Sequence, residues 1–282
     1  PLPQVELGIA AVERGELVWI DTDDVLDYTA WIDWTPDADR LFFQQMNRDQ
    51  DTLRLYAAEP ATGTATLLYE ETQPTWVAFF EDIHFLPDGR GFLLRSNRDG
   101  WYNLYHHAMD GTLVRQLTDF DWRVTEIAAV DAANDRILFE GTGGDGTQVH
   151  LFSVGLDGED LRQLTQEEGY HTIRVAPGGG YFYDRHSSYD LPWRGAVYEV
   201  PSGALVREVM PREDDPNAAA GIRIEHFTVP TGDGFELPAY WVLPPGFDEH
   251  KQYPVIFSIY GGPDAGTVYK RFRDYSRDDL LR

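Results

Sequence analysis

Three residues near the C-terminal end of the 282-residue sequence have the types and spacing to do chemistry. They are Tyr260, Gly261 and Gly262, in the stretch "YPVIFSIYGGPDAG" (253–266). A phenol can donate a hydrogen bond to an oxygen that gains negative charge as a carbonyl is attacked, doing the work of an amide N–H. Two glycines let the backbone come close to a substrate and take conformations that a Cβ forbids. The run before them, 255–259, has the composition of a buried strand. On these residues alone two readings stand side by side. One is an oxyanion-stabilising loop; the other is a β-turn after a core strand, with the tyrosine as an aromatic plug.

Other chemistry is thinner. The absence of cysteine excludes disulfides, thiolate metal sites and a thiol nucleophile, and leaves the compartment open. No His/Asp/Glu cluster has metal-ligand spacing, and nothing calls for a cofactor. "TGGDG" (142–146) lacks the Lys-Ser/Thr of a phosphate loop and reads as a hairpin. The eight histidines are scattered through the chain and read as surface or turn residues, His106-His107 falling at an ordinary strand position.

Elements must position these residues, and composition bounds what they are. With 42% hydrophobic residues the chain can fill one large or two ordinary cores, and 13% aromatics lean toward β structure. No apolar run reaches the roughly 18 residues of a membrane span, and no leader pattern opens the chain. The start, Pro-Leu-Pro, reads as cut from something longer. A net charge of −25 disfavours phosphate backbones, so nucleic acid is a poor partner. The dispersed acids suit a solvated surface or a salt-adapted source.

An internal repeat organises the first 209 residues. "DWTPDADRLFFQQMNRDQDTLRLYAAEPATG" (33–63) lies over "HFLPDGRGFLLRSNRDGWYNLYHHAMDG" (84–111). Two further units follow at 129–158 and 174–203. Each holds a turn, an apolar strand, a polar hairpin, a Leu-Tyr-like strand, a turn glycine and one more strand. Gly63, Gly111, Gly158 and Gly203 stand 48, 47 and 45 residues apart, with Gly15 another 48 before the first. A period near 45 with about four short strands is a propeller blade; the chain opens inside a truncated fifth unit. The Trp-Asp dipeptide of the commonest propellers is absent.

After Val209 the pattern breaks. Residues 210–222 read as a linker, and 223–282 hold three strand-like runs separated by turns, the first two a hairpin around Thr231-Gly232-Asp233-Gly234. Residues 269–282 are polar and either start a helix or remain irregular. The expected fold is mainly β: a partial propeller (1–209), a linker (210–222), and the first strands of an α/β sheet (223–282).

Blades followed by "LPPGFDEHKQYPVIFSIYGGP" (243–263) resemble the prolyl oligopeptidase clan of serine peptidases, most closely the dipeptidyl peptidase IV branch. The similarity covers nearly the whole chain and keeps the order of parts. It implies an α/β-hydrolase domain in which Tyr260 is the side-chain oxyanion donor and Gly261-Gly262-Pro263 the loop backbone. The complete enzyme would release N-terminal dipeptides from peptides, with Pro or Ala before the bond, the propeller gating access. Its nucleophile would sit in Gly-x-Ser-x-Gly, which none of the serines here occupies; the acid and His follow the Ser in this fold, so the triad is expected beyond Arg282 and the chain alone should be inactive. Relatives hold the substrate's amino group on paired glutamates. Glu70-Glu71 tempts, but the repeat lays "TLLYEE" over plain strands, placing the anchor before Pro1.

Phe79, Phe80 and Glu81, in "TWVAFFEDIHF" (75–85), are the other candidates for substrate contact, in an inter-blade segment where relatives carry an aromatic and a basic residue. Packing between blades is their alternative role. The resemblance also implies a periplasmic or exported bacterial protein and leaves a homodimeric full-length enzyme as an assembly to test. Two rivals remain: an oligopeptidase or acylaminoacyl peptidase of the same clan, and a non-catalytic TolB-like propeller that binds peptides or proteins.

Overall fold

A computed structural model describes residues 5–13, 15–22, 26–81, 83–262 and 266–276. Strands β1 (Gly8–Ala10) and β2 (Leu17–Trp19) form an antiparallel pair. Four four-stranded sheets follow. The first holds β3 (Tyr28–Trp34), β4 (Leu41–Met46), β5 (Thr52–Ala58) and β6 (Ala65–Thr72). The second holds β7 (His84–Phe85), β8 (Phe92–Ser96), β9 (Asn103–His107) and β10 (Leu113–Gln116). The third holds β11 (Val124–Asp131), β12 (Arg136–Gly141), β13 (His150–Gly155) and β14 (Arg162–Gln163). The fourth holds β15 (Tyr170–Val175), β16 (Tyr181–Ser187), β17 (Arg194–Glu199) and β18 (Leu205–Met210). Within each sheet the strands lie side by side in chain order, the meander of a propeller blade.

The spacing of the glycines has a structural cause. Gly63, Gly111, Gly158 and Gly203 each join the third strand of a sheet to its fourth, with φ of 76°, 87°, 78° and 66°. That is the left-handed region, which a Cβ penalises. Space is the second constraint. A Cβ on Gly111 would overlap the Leu68 carbonyl in β6, the outer strand of the preceding sheet, and one on Gly63 would overlap the Trp19 carbonyl in β2.

The chain divides into two compact units: 1–137 with 154–161, and 138–153 with 162–282. In the first, β4 is buried on both faces, which is why its sequence LFFQQM does not alternate. Phe42 points one way, edge-on to Phe92 at 5.3 Å, in a cluster with Leu53, Leu55, Val77 and Leu94. Leu41 and Phe43 point the other way and pack with Tyr56 against Ile9 and Ile20.

In the second unit a single helical turn, α1 (Pro216–Ala219), interrupts the expected linker. The Asp215 side chain starts it by accepting from Asn217 N at 2.8 Å, an N-cap with proline at the first position. Strands β19 (Arg223–Pro230) and β20 (Glu236–Leu243) then form the expected hairpin, its turn closed by Phe235 N donating to Thr231 Oγ1 at 3.0 Å.

One expectation needs correction, and an open one is decided. The run 255–259 is neither a strand nor buried: exposure rises from 70% at Val255 to 90% at Ile259. A strand exists only with a hydrogen-bonded neighbour, and among the described residues β19 and β20 pair only with each other. Residues 269–276 form no helix. They take the irregular alternative, with a bend at Lys270 closed by Arg271 N donating to Tyr269 O at 2.7 Å. Lys270 N donating to Thr147 O at 2.7 Å and Phe272 N to Ser187 Oγ at 3.1 Å hold them in place. Residues 277–282 lie outside the described residues.

Candidate functional site

Tyr260 ends the exposed run and is itself 64% exposed. Its ring lies over Gly262, where a Cβ would come within 2.7 Å of the ring edge and push the ring aside. A Cβ on Gly261 would meet nothing within 4 Å. The phenol therefore stands open to solvent beside a backbone stripped of side chains, the arrangement a hydrogen-bond donor to an outside oxygen needs. Pro263 lies outside the described residues.

Phe79, Phe80 and Glu81 separate in role. Phe80 is buried, and both of its backbone groups are clamped by one side chain: Gln44 Nε2 donates to Phe80 O, and Phe80 N donates to Gln44 Oε1, each at 2.8 Å. A buried amide satisfied on both ends fixes the segment against β4. Phe79 is half-buried against the same core, and Glu81 is exposed. Packing thus takes the two aromatics, and Glu81 is the side chain left facing solvent.

Adjacent glutamates on β6 point to opposite faces. Glu70 pairs with its cross-strand partner Arg54 at 2.7 Å on the surface. Glu71 is buried and accepts from Ser96 Oγ at 2.5 Å and Tyr69 Oη at 3.1 Å. The Arg98 guanidinium lies over the rings of Tyr69 (4.4 Å) and Tyr105 (3.9 Å), and Tyr105 donates to Asp99 at 2.8 Å. Burial, then the neighbouring carboxylates, push both phenols well above their ordinary range. Arg98 also donates to His107 Nε2 at 3.4 Å, so His107 gives its Nδ1 proton to Gly111 O at 2.8 Å and is a neutral imidazole, its pKa lowered by burial. Every carboxylate in this cluster has its donors inside the fold; it braces β6, β8 and β9.

The histidines depart from expectation. His106, His107, His150, His171 and His186 are buried: β9 and β13 are enclosed on both faces, and His171 and His186 lie on the inward faces of β15 and β16. Three of them stack in the second unit: His150 to His171 at 5.0 Å, and His171 to its cross-strand partner His186 at 4.5 Å. His171 Nδ1 faces Asp184 Oδ2 at 2.8 Å, and its Nε2 faces Glu167 O at 2.9 Å. Burial and then the charge of His171 lower the other two, His150 to about 4. Asp184 and His186 sit two apart on one face of β16, a pattern visible in sequence only once the blade register is known. Among the described residues no group of three is arranged to hold a metal ion.

Sequence reasoning also missed a shallow cleft lined by Tyr189, His226, Tyr240, Arg271, Arg273 and Tyr275. The signal was the alternation of Tyr269, Arg271, Arg273 and Tyr275, a two-residue period that places all four on one side of the segment.

Comparison with known proteins follows the same lines. The family model described as the dipeptidyl peptidase IV N-terminal region matches residues 1–193. The chain is 27% identical over 307 aligned positions to a protein of Uncinocarpus reesii that carries the name dipeptidyl-aminopeptidase B, covering 97% of this chain and 32% of that one. A namesake in Coccidioides posadasii is 28% identical, with the same 97% and 32% coverage. The chain thus spans about a third of the length of the curated relatives it matches. Its fold superposes on dipeptidyl peptidase 4 of Porphyromonas gingivalis with a TM-score of 0.84 at 22% identity, over 96% of this chain and 39% of that one. A protein of Bacteroides ovatus that carries the name dipeptidyl aminopeptidase IV gives 0.83 at 26%, over 95% of this chain and 41% of that one.

Proposed function

Since the chain belongs to the dipeptidyl peptidase IV family, whose N-terminal-region model matches residues 1–193, we propose that the full-length protein is a serine exopeptidase releasing N-terminal dipeptides. Residues 1–209 are its propeller blades, 210–222 the connection, and 223–282 the opening of an α/β-hydrolase domain. The observation that carries this reading is the order of parts: blades, then the β19–β20 hairpin, then an exposed phenol against Gly261-Gly262.

In this reading a serine Oγ supplied by the rest of the hydrolase domain gives its proton to the triad histidine and attacks the carbonyl carbon of the second residue. As that C–O bond forms, the carbonyl oxygen takes the negative charge and accepts from Tyr260 Oη and one backbone N–H. Collapse expels the amine, to which the histidine passes that proton, and leaves an acyl-enzyme, which water hydrolyses. Proline or alanine precedes the cut bond, and the blades gate access. Glu81 is the member of the 79–81 group available to a substrate. The chain 1–282 by itself carries Tyr260 without the triad and is inactive.

The test is release of p-nitroaniline from Gly-Pro and Ala-Pro p-nitroanilides by the full-length protein, against the same compounds N-acetylated. Cleavage confined to free amino termini supports the dipeptidyl reading. Preference for the acetylated compounds would move the assignment to an acylaminoacyl or endo-acting relative. Turnover by purified 1–282 alone would overturn the division of labour.

A further inference from the structure

Among the described residues, two arginines in the second unit stand without acids in a protein that has acids to spare. The chain carries 48 Asp and Glu against 23 Lys and Arg, so a basic side chain with no carboxylate partner is against the odds. Lys270 follows the odds, pairing with Glu168 at 2.8 Å and Asp145 at 3.9 Å. Its neighbours do not. The Arg271 guanidinium lies over the rings of Tyr170 (5.6 Å) and Tyr269 (5.5 Å), which meet each other edge-on at 5.3 Å. Arg273 lies 5.8 Å over Tyr275 and donates to Tyr240 Oη at 3.2 Å. Among the described residues neither guanidinium has a carboxylate beside it.

The backbone holds both in place. Buried Asn217, fixed by the α1 cap, donates from Nδ2 to Arg273 O at 2.8 Å and accepts from Tyr275 N at 2.7 Å. Phe272 is buried on the opposite side, so alternation turns Arg271 and Arg273 together toward the cleft. Tyr240 and Tyr275 meet hydroxyl to hydroxyl at 2.9 Å on its floor. The result is a pair of guanidinium forks on a held backbone, edged by phenols.

We propose that this cleft binds the carboxylate of a peptide, held by Arg271 and Arg273 with the adjoining tyrosine rings flanking the chain. Guanidinium forks match a carboxylate in bidentate geometry. The free interior is about 10 Å³, room for a water-sized group, so only the headgroup sits at the mouth and the rest of the peptide lies outside. The net charge of −25 favours a monoanion over a phosphate dianion, which the surrounding field repels more strongly. The inference goes beyond the peptidase reading and does not rest on it.

Calorimetric titration of the full-length protein with three acetylated Ala-Tyr-Ala-type peptides, whose blocked amino ends keep them from dipeptidyl cleavage, tests it. One ends in a free carboxylate, one is amidated, and one is amidated with an internal Glu; inorganic phosphate is a fourth probe. Binding by the first or third, whichever source supplies the carboxylate, with none by the neutral amide, is the expected result. Added salt should weaken it. Arg271→Gln with Arg273→Gln should lower affinity at least about tenfold, the scale of a lost charge-assisted bond. Where the double variant unfolds, Arg271→Gln alone serves, since that side chain touches only rings. Equal binding of the neutral amide, binding of phosphate but no carboxylate, no binding at millimolar peptide, or unchanged affinity in a folded variant each overturns the proposal.

Discussion

Nδ1 of His171 lies 2.8 Å from Oδ2 of Asp184, with the two side chains only 2% and 3% exposed. The pair sits between two other buried imidazoles, His150 and His186, which burial holds below the ordinary 6.5. Between pH 6.5 and about 4 the folded chain therefore binds fewer protons at these two sites than the unfolded chain does. Their contribution to stability is full above pH 6.5 and is lost as pH falls toward 4. Melting temperature measured stepwise over that range should decline, and His150→Gln should flatten the slope. An identical slope in wild type and variant would mean that the stack does not titrate with folding.

Two glycines with nearly equal φ separate strain from space. Gly111 (φ 87°) faces the Leu68 carbonyl, whereas Gly178 (φ 85°) has nothing within 4 Å of where a Cβ would lie. Gly178→Ala should cost about 1–2 kcal/mol, the left-handed penalty alone. Gly111→Ala should cost more by at least about 2 kcal/mol, because the outer strand of the preceding sheet must also move. Denaturant unfolding measures both, and equal costs would remove the close-approach explanation of the repeat.

Those glycines are why the blades were legible. A turn that demands a left-handed residue at a fixed place in each unit writes its period into the sequence, and the Thr231–Gly234 turn announces its hairpin likewise. What local pattern cannot supply is partners. The run 255–259 has every local property of a strand and, among the described residues, lies exposed without a neighbour to pair with. Phe80 is buried with its backbone held by Gln44, 36 positions away. The histidine stack depends on the register of β15 against β16. Polar residues 269–276 form one side of the cleft because Asn217 and Ser187 capture their backbone, contacts 58 and 85 positions apart in sequence.

The neighbours Glu70 and Glu71 should differ sharply on substitution. Ser96→Ala removes the 2.5 Å donor from buried Glu71 and should destabilise by about 1.5–3 kcal/mol, the cost of a lost bond to a buried charge. Glu70→Ala removes an exposed pair with Arg54 and should cost less than about 1 kcal/mol. Chemical denaturation of the two variants gives the comparison; similar small losses would show that Glu71 is hydrated rather than held.

The central claim concerns Tyr260, and Tyr260→Phe in the full-length enzyme tests it most directly. Only a hydroxyl is removed and the ring is kept, so the fold should be retained. With dipeptidyl p-nitroanilides kcat should fall about 10²–10³-fold, the scale for one oxyanion donor. KM should change little, because the bond is made to the tetrahedral intermediate rather than to the bound ground state. A well-folded variant with undiminished kcat would contradict the account.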